Sequence, residues 1–423
     1  MRNIALLRVL PDPVAVASPW STSESRWRRS SGVGHRTLRL AALVASALAP
    51  LVVAGCGGSG GGRAPFTGST AAPITTTPPT TPPTTPPTTP PTTPPPPTPP
   101  PTTTPAVTWR VSGWLPYWAY TAGDRTLDAN VGNGLDEVNL FGYRLKSDGS
   151  IAATTGAESA VRHAAIRSKG GELIPTILDV DDAAAMSAVL GSAAARQRFV
   201  VAVGEVLDRF GYDGVDIDFE HVTATTRDTF SQLMADMAVA VRARGKVVSI
   251  TVPGKRADRS NWPGYDYAAL GRVADRVKLM TYGYSGPWTR TPGPIAPLSW
   301  IRQVMDYAVT TMPANKLVIG IPFYGYDWPN NTTGTINSVT WSSAQARLAR
   351  SATGLQFDAA KGEAHFTYTD TAGVGHTVWL QDARSIAAKA QLVKDYGAHG
   401  LAIWALGNED PAFWDAIRAV LKP

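Results

Sequence analysis

Residues 108–423 predict an α/β fold, a (β/α)8 TIM barrel, and three observations carry that prediction. Eight apolar strand candidates recur along this stretch, most of them separated by helical patterns, which is the order that closes a parallel sheet on itself. The run Tyr212–His221 reads Tyr-Asp-Gly-Val-Asp-Ile-Asp-Phe-Glu-His. At period 2 it sets Asp216, Asp218 and Glu220 on one face and Val215, Ile217 and Phe219 on the other. Helical runs flank it, Phe199–Phe210 before and Thr225–Arg244 after, and a second apolar strand, Val247–Val252, follows. That order makes the acidic strand one of a parallel set covered on both faces.

In chain order the strand candidates are Arg110–Trp118, Leu135–Leu145, Glu172–Leu178, Gly214–Glu220, Val247–Pro253, Arg276–Tyr284, Leu317–Tyr326 and Leu401–Leu406. Ala183–Phe210 reads as one helical pattern, and Trp300–Val309 as another. The stretch between the seventh and eighth strands is too long for one helix. Polar turns and short β-like runs (Ala364–Thr369, His376–Leu380) make 329–380 a small α+β insertion. The last helix in this stretch is Asp382–Tyr396, with Asp382 as N-cap and Gly397 as C-cap.

The chain has 423 residues with 39 Gly and 35 Pro, and a net charge of +6. Seven Arg precede Cys56 (Arg2, Arg8, Arg26, Arg28, Arg29, Arg36, Arg39) against Asp12 and Glu24, so most of the excess charge lies there. The remainder is close to neutral, which leaves a nucleic-acid partner unsupported. Leu40–Ala54 is apolar but about 15 residues long, short of the ~20 a membrane span needs. Basic residues, an apolar run and small residues at a break read as a secretory leader. The break, Val53-Ala-Gly-Cys56, resembles a bacterial lipobox. That resemblance implies cleavage before Cys56, a lipid on its sulfur, and an extracytoplasmic protein held at the cell membrane through the lipid alone. Cys56 is the one cysteine, so no intrachain disulfide can form.

Residues 57–107 read as a Gly tether and a Thr/Pro stalk. Polyproline II at ~3.1 Å per residue gives it a reach on the order of 100 Å. Gly57-Gly-Ser59-Gly-Gly61 matches the serine-hydrolase G-x-S-x-G pattern, but no strand precedes it, and it is rejected. The six His are scattered without metal-ligand spacing, so neither a metal nor a cofactor is expected.

The acidic row carries the chemistry. Same-face residues sit roughly 6.6 Å apart along a strand. Three acids on a buried face are costly unless hydrogen-bonded, protonated or used. Crowded carboxylates share protons, and their pKa values spread apart. One acid kept protonated beside one kept ionised is the equipment of a glycosidase. Two rivals are a half-exposed edge strand with a wet acidic face and a divalent-cation site in an unrelated barrel hydrolase.

Asp213-Gly-Val-Asp-Ile-Asp-Phe-Glu220 matches the D-G-x-D-x-D-x-E signature in full, and the chain resembles glycoside hydrolase family 18 over residues 108–423. Gly113-Trp-Leu-Pro-Tyr-Trp118 is similar to the family's first strand, Met280-Thr-Tyr282 to its sixth, and Gly320-Ile-Pro-Phe-Tyr-Gly325 to its seventh. His376–Ser385 and Gly400–Gly407 resemble the bacterial branch of spore-cortex and cell-wall glycosidases. The resemblance implies that Glu220 protonates the leaving oxygen and then activates water. The substrate's 2-acetamido group would be the nucleophile, through an oxazolinium, with retention. Asp218 would orient that acetamide, and Asp216 would share a proton with Asp218. Tyr282 would donate to the acetamido oxygen, and Trp404 would floor the distorted sugar. Trp118, Tyr326 and Trp328 would line sugar subsites.

The implied substrate is an N-acetylated polysaccharide, peptidoglycan-like glycan or chitin, cleaved at β-1,4 bonds by a monomer. An inactive, lectin-like relative is the alternative. Asp213, before Gly214, reads as a cap on the turn into the strand, and His221 has the wrong parity for the inner face. The family's usual Asp after the sixth-strand Tyr is replaced by Gly283.

Overall fold

The computed structural model describes residues 108–422, apart from 180, 181, 332 and 408. The leader, the lipid site at Cys56 and the stalk expected over 1–107 lie outside the described residues. Among the described residues no helix is long and apolar enough to cross a membrane.

Eight parallel strands form a closed barrel: β1 (Arg110–Pro116), β2 (Glu137–Leu145), β3 (Thr176–Leu178), β4 (Gly214–Asp218), β5 (Val247–Pro253), β6 (Arg276–Met280), β7 (Leu317–Pro322) and β8 (Gly400–Trp404). Each pairs with the next, and β8 returns to β1 with Gly400 opposite Arg110. A two-residue strand, Glu172–Leu173, leads into β3 and pairs with β2 as well. Ten α-helices cover the described chain: α1 (Tyr120–Asn130), α2 (Ala160–Ser168), α3 (Ala183–Gly191), α4 (Ala193–Phe210), α5 (Arg227–Arg242), α6 (Tyr267–Val273), α7 (Leu298–Ala308), α8 (Trp341–Leu348), α9 (Ala383–Tyr396) and α10 (Pro411–Leu421).

Period 2 divides the barrel. Val215, Ile217, Val248, Ile250, Val277 and Leu279 join the main apolar cluster between sheet and helices. The alternate positions are polar and buried: Glu137, Asn139, Thr176, Asp216, Ser249, Thr251 and Lys278. Over β2–β6 the barrel interior is therefore polar rather than the Val/Ile/Leu packing usual for the fold, with Trp114, Phe141, Leu178, Val318 and Ala402 forming a separate apolar cluster.

Local chemistry moves several boundaries. Ala183–Phe210 is two helices, because Ser192 turns extended (φ −121°, ψ 116°) and its side chain accepts from the Ala195 N–H, starting a new helix. Gly211, at φ +61°, ends α4. Asp382 caps α9 by accepting from the Ser385 N–H, and Gly397 closes it at φ +60°. The strand expected over Arg276–Tyr284 stops at Met280, ahead of Gly283 at φ +79°. A side chain in that region costs about 1 kcal/mol or more, which suits a glycine at this position.

The run Leu317–Tyr326 is also two strands. Phe323 N–H donates to the Trp404 carbonyl at 2.6 Å, and the chain then leaves the barrel. Tyr324–Pro329 joins a separate antiparallel sheet with Asn337–Thr340 on one side and Gly375–Leu380 on the other, followed by Glu363–Thr369 and Gln356–Asp358. This insertion has its own small core of Val339, Ala344, Ala364, Phe366, Tyr368, Val378 and Leu380.

Buried charge ties the insertion to the barrel. Glu363 accepts from the backbone N–H of Ile295 (2.8 Å) and Ala296 (2.6 Å) in the loop after β6. Lys389 of α9 lies 3.4 Å from it and donates to the Gly362 carbonyl and Gln381. Glu363→Gln places an amide against two N–H groups and strips Lys389 of its counter-charge. It should cost roughly 3 kcal/mol in denaturant unfolding; a change within a few tenths would show that this contact does not anchor the insertion.

Candidate active site

β4 places Asp216 and Asp218 on the inner face, and the chain continues through Phe219 to Glu220 at the carboxyl end of the barrel, where sites of this fold are built. Asp216 is fully buried. Its Oδ2 accepts from Trp114 Nε1 (3.0 Å) and Thr176 Oγ1 (2.9 Å), and its Oδ1 from Ser249 Oγ (2.6 Å). Thr251 Oγ1 reaches both oxygens. Lys278 Nζ lies 3.6 Å from Oδ1. Strands β1, β3, β5 and β6 thus converge on one carboxylate.

Lys278 links that carboxylate to a deeper layer. It donates to Glu137 Oε1 and Asn139 Oδ1, both at 2.7 Å, and sits over the Trp114 ring. Glu137 also pairs with Arg276, which reaches Glu172 at 2.8 Å. Burial alone would raise the Glu137 pKa, but Lys278 and Arg276 outweigh it and hold the carboxyl far below the ordinary range.

Asp218 is the opposite case. It is 4 % exposed, and its buried Oδ1 has no hydrogen-bond partner. Burial, then the charges of Glu220, Asp216 and Asp179, push its pKa well above the ordinary carboxylate value, against a smaller pull from Lys278. Glu220 is 7 % exposed. Tyr282 is buried, and burial followed by Asp218, Glu220 and Asp216 raises its phenol pKa, so it stays a proton donor. The structure therefore brings Asp216, Asp218, Glu220 and Tyr282 into one electrostatic cluster.

An aromatic wall closes the β8–β1–β2 side. Trp404 meets Phe141 edge-on at 4.9 Å, Trp114 at 6.1 Å and Trp118 at 6.3 Å, ring centroid to centroid. Trp404 and Trp118 keep part of their surface open, while Trp114 and Phe141 are buried. Trp328 is not at this wall. It is 1 % exposed, its Nε1–H donates to the Thr289 carbonyl, and it meets Tyr326 edge-on in the first strand of the insertion. Buried Tyr326 packs between Trp288, Tyr324 and Trp328. In this structure both side chains pack the insertion against the loop after β6, so the sugar-lining role expected of them has no exposed face to act through. Asp213 accepts from the Leu173 N–H at 2.8 Å and fastens the edge of β4 to the strand beside it.

Sequence reasoning passed over three contributors. Trp114 was read only as part of a strand motif, yet its indole N–H holds Asp216. Lys278 lay inside a stretch read as an apolar strand, although Arg276-Val-Lys278 alternates charge with period 2. Asp179 lay one residue past the expected third strand, the position at which barrel sites take their side chains.

Buried acids at the barrel mouth beside an aromatic wall are what a glycoside hydrolase presents. The sequence profile of glycosyl hydrolases family 18 matches residues 116–409, and the chain belongs to that family and is a glycoside hydrolase. It is 33 % identical over 240 residues to the glycosylase YvbX of Bacillus subtilis (strain 168), covering 56 % of this chain and 69 % of that protein. It is 33 % identical over 234 residues to the cortical fragment-lytic enzyme of the same strain, where it spans 53 % of this chain and only 54 % of the relative. A chitinase from Chromobacterium violaceum ATCC 12472 superposes with a TM-score of 0.69 at 29 % identity, over 74 % of this chain and 99 % of that one.

A carboxyl whose folded pKa is raised, like that of Asp218, opposes folding at pH above its unfolded value of 3.8, and the penalty grows until the folded pKa is passed. Asp218→Asn removes it. Thermal melts should show the variant more stable than wild type at neutral pH, by a few degrees. The difference should fade as pH falls toward the unfolded value. A variant less stable at neutral pH would contradict the crowding.

Proposed function

We propose that this enzyme hydrolyses β-1,4 bonds next to N-acetylglucosamine, with retention, and that the substrate's 2-acetamido group is the nucleophile. Glu220 is the acid that protonates the leaving oxygen and then the base that activates water. Asp218 in its protonated form, with an unpartnered buried oxygen, suits an acetamide that must be turned under the anomeric carbon. As positive charge develops on the acetamide, the negative field of Asp216 and Asp179 favours it. The phenol of Tyr282, kept protonated, supplies a donor to the acetamido oxygen. Trp404, with Trp118 beside it, offers a partly open aromatic surface for the sugar ring. One observation carries the reading: two neighbouring buried acids on β4 in opposite settings, Asp216 saturated with donors and Asp218 with one oxygen unpaired.

The substrate class is proposed as peptidoglycan-like glycan or chitin. The names of the relatives, a cortical fragment-lytic enzyme and a chitinase, support both. A lipid on Cys56 and a Thr/Pro stalk would hold the barrel against the wall, which favours the former.

The test is turnover of N-acetylated oligosaccharides, with purified peptidoglycan and chitin assayed side by side. Glu220→Gln should lower kcat by roughly 10²–10⁴-fold, with the melting temperature little changed. A thiazoline analogue of the oxazolinium should inhibit competitively. Binding of oligosaccharide without cleavage by the wild-type protein, or full activity in the variant, would overturn the assignment.

A further inference from the structure

Asp179 follows β3 directly and lies outside the acidic row of β4. Its carboxylate is buried and turned toward the end of that strand. Oδ1 accepts from the Glu220 N–H at 2.6 Å and Oδ2 from the His221 N–H at 3.1 Å. These two N–H groups lie on either side of the Glu220 Cα, so one anion fixes the backbone from which the acid projects. Charge-assisted bonds of this kind are short and directional. Oδ2 also lies 3.4 Å from His221 Nδ1, and that imidazole is mostly buried.

The loop after β5 holds the same segment from the other side. Tyr265 Oη donates to the Phe219 carbonyl at 2.7 Å. Gly264 packs so closely on the Val222 carbonyl that a Cβ there would lie 2.4 Å from its oxygen. Residues 219–222 are thus pinned from β3 and from the β5 loop.

We propose that Asp179 and His221 are a positioning pair for Glu220: Asp179 sets the backbone that aims the acid, and His221 offsets the negative charge that Asp179 brings beside it. The pair acts through the chemistry proposed above for Glu220. The charged groups acting on His221 are Asp179 from the end of β3 and Glu220 from its own segment; the Tyr265 phenol of the β5 loop meets the same segment at the Phe219 carbonyl. Contact with Asp179 raises the imidazole pKa, against burial, with Glu220 adding to the rise. Burial first, then Asp179 and the row acids, keeps Tyr265 protonated. Asp179 also adds to the field on Asp218. The cation is therefore present at pH below the raised value and is lost as pH rises through it.

The experiment is the pH profile of kcat/KM for the full-length enzyme and the variants Asp179→Asn and His221→Gln, joined to an NMR titration of the His221 ring. The basic limb reports loss of the proton from the essential acid. Removing the anion should move that limb to lower pH, and removing the cation should move it to higher pH. The His221 midpoint should lie above 6.5 in wild type and drop in Asp179→Asn. A purely structural role would lower activity without shifts of opposite sign. Limbs that stay fixed or move together, or a His221 midpoint indifferent to Asp179→Asn, would overturn the pair. If Asp179→Asn fails to fold, the limb of His221→Gln alone decides: an upward shift supports the pair, and none overturns it. Full activity in Glu220→Gln would overturn the acid assignment instead, whatever the ring titration gives.

Discussion

The carboxylate of Asp216, buried between four strands, is the constraint on which the rest of the site depends. It has no water to solvate it, so the barrel solvates it with protein: an indole N–H, three hydroxyls and a nearby ammonium. These donors come from four different strands at matched height, which a closed sheet in fixed register provides. The cost of burying such ions is several kcal/mol apiece before pairing. Glu137, Lys278, Arg276 and Asn139 spread that cost over a connected network in which every member has a partner. The barrel gives up apolar packing in its interior and gains a rigid polar base for its acids.

That base sets an unequal field above it. Asp216 takes the donors, and Asp218, one step further along β4, has an oxygen with none. The second carboxyl then feels burial and three anions against a smaller pull from Lys278, and its pKa rises well above the ordinary carboxylate value. Two residues with the same side chain are thus set apart electrostatically by what surrounds them. Tyr282 is kept protonated by the same field, and Glu220 sits at the edge where the row meets the open face of the barrel.

Much of this was legible in the sequence, and the parts that were not share a cause. Parity along Gly214–Glu220 gave the acidic face, and alternation of strands and helices gave the barrel, because both are local patterns with a fixed period. Asp382 and Gly397 were readable as caps because capping chemistry is local too. Lys278 was passed over because a charge inside an apolar run shows its meaning only when its partners, far away in the chain, are known. Trp114 and Asp179 are the same kind of residue, each holding an atom of β4 or of the segment just past it across a strand boundary. Tyr326 and Trp328 misled for the converse reason: aromatic composition near a motif does not say which face is covered, and here the insertion covers both. The break at Phe323 is imposed by a hydrogen bond to the distant Trp404 carbonyl and leaves no local mark, whereas Gly191-Ser192 is a local cap signal that was overlooked between two helical patterns.

The account turns on Asp218 holding a proton at neutral pH in the resting enzyme. Difference infrared spectroscopy on protein with isotopically labelled aspartate, with Asp218→Asn as the reference, observes that proton directly. The account predicts a carboxylic-acid carbonyl band at neutral pH that is absent from the variant. A spectrum in which Asp218 contributes only carboxylate bands would contradict it.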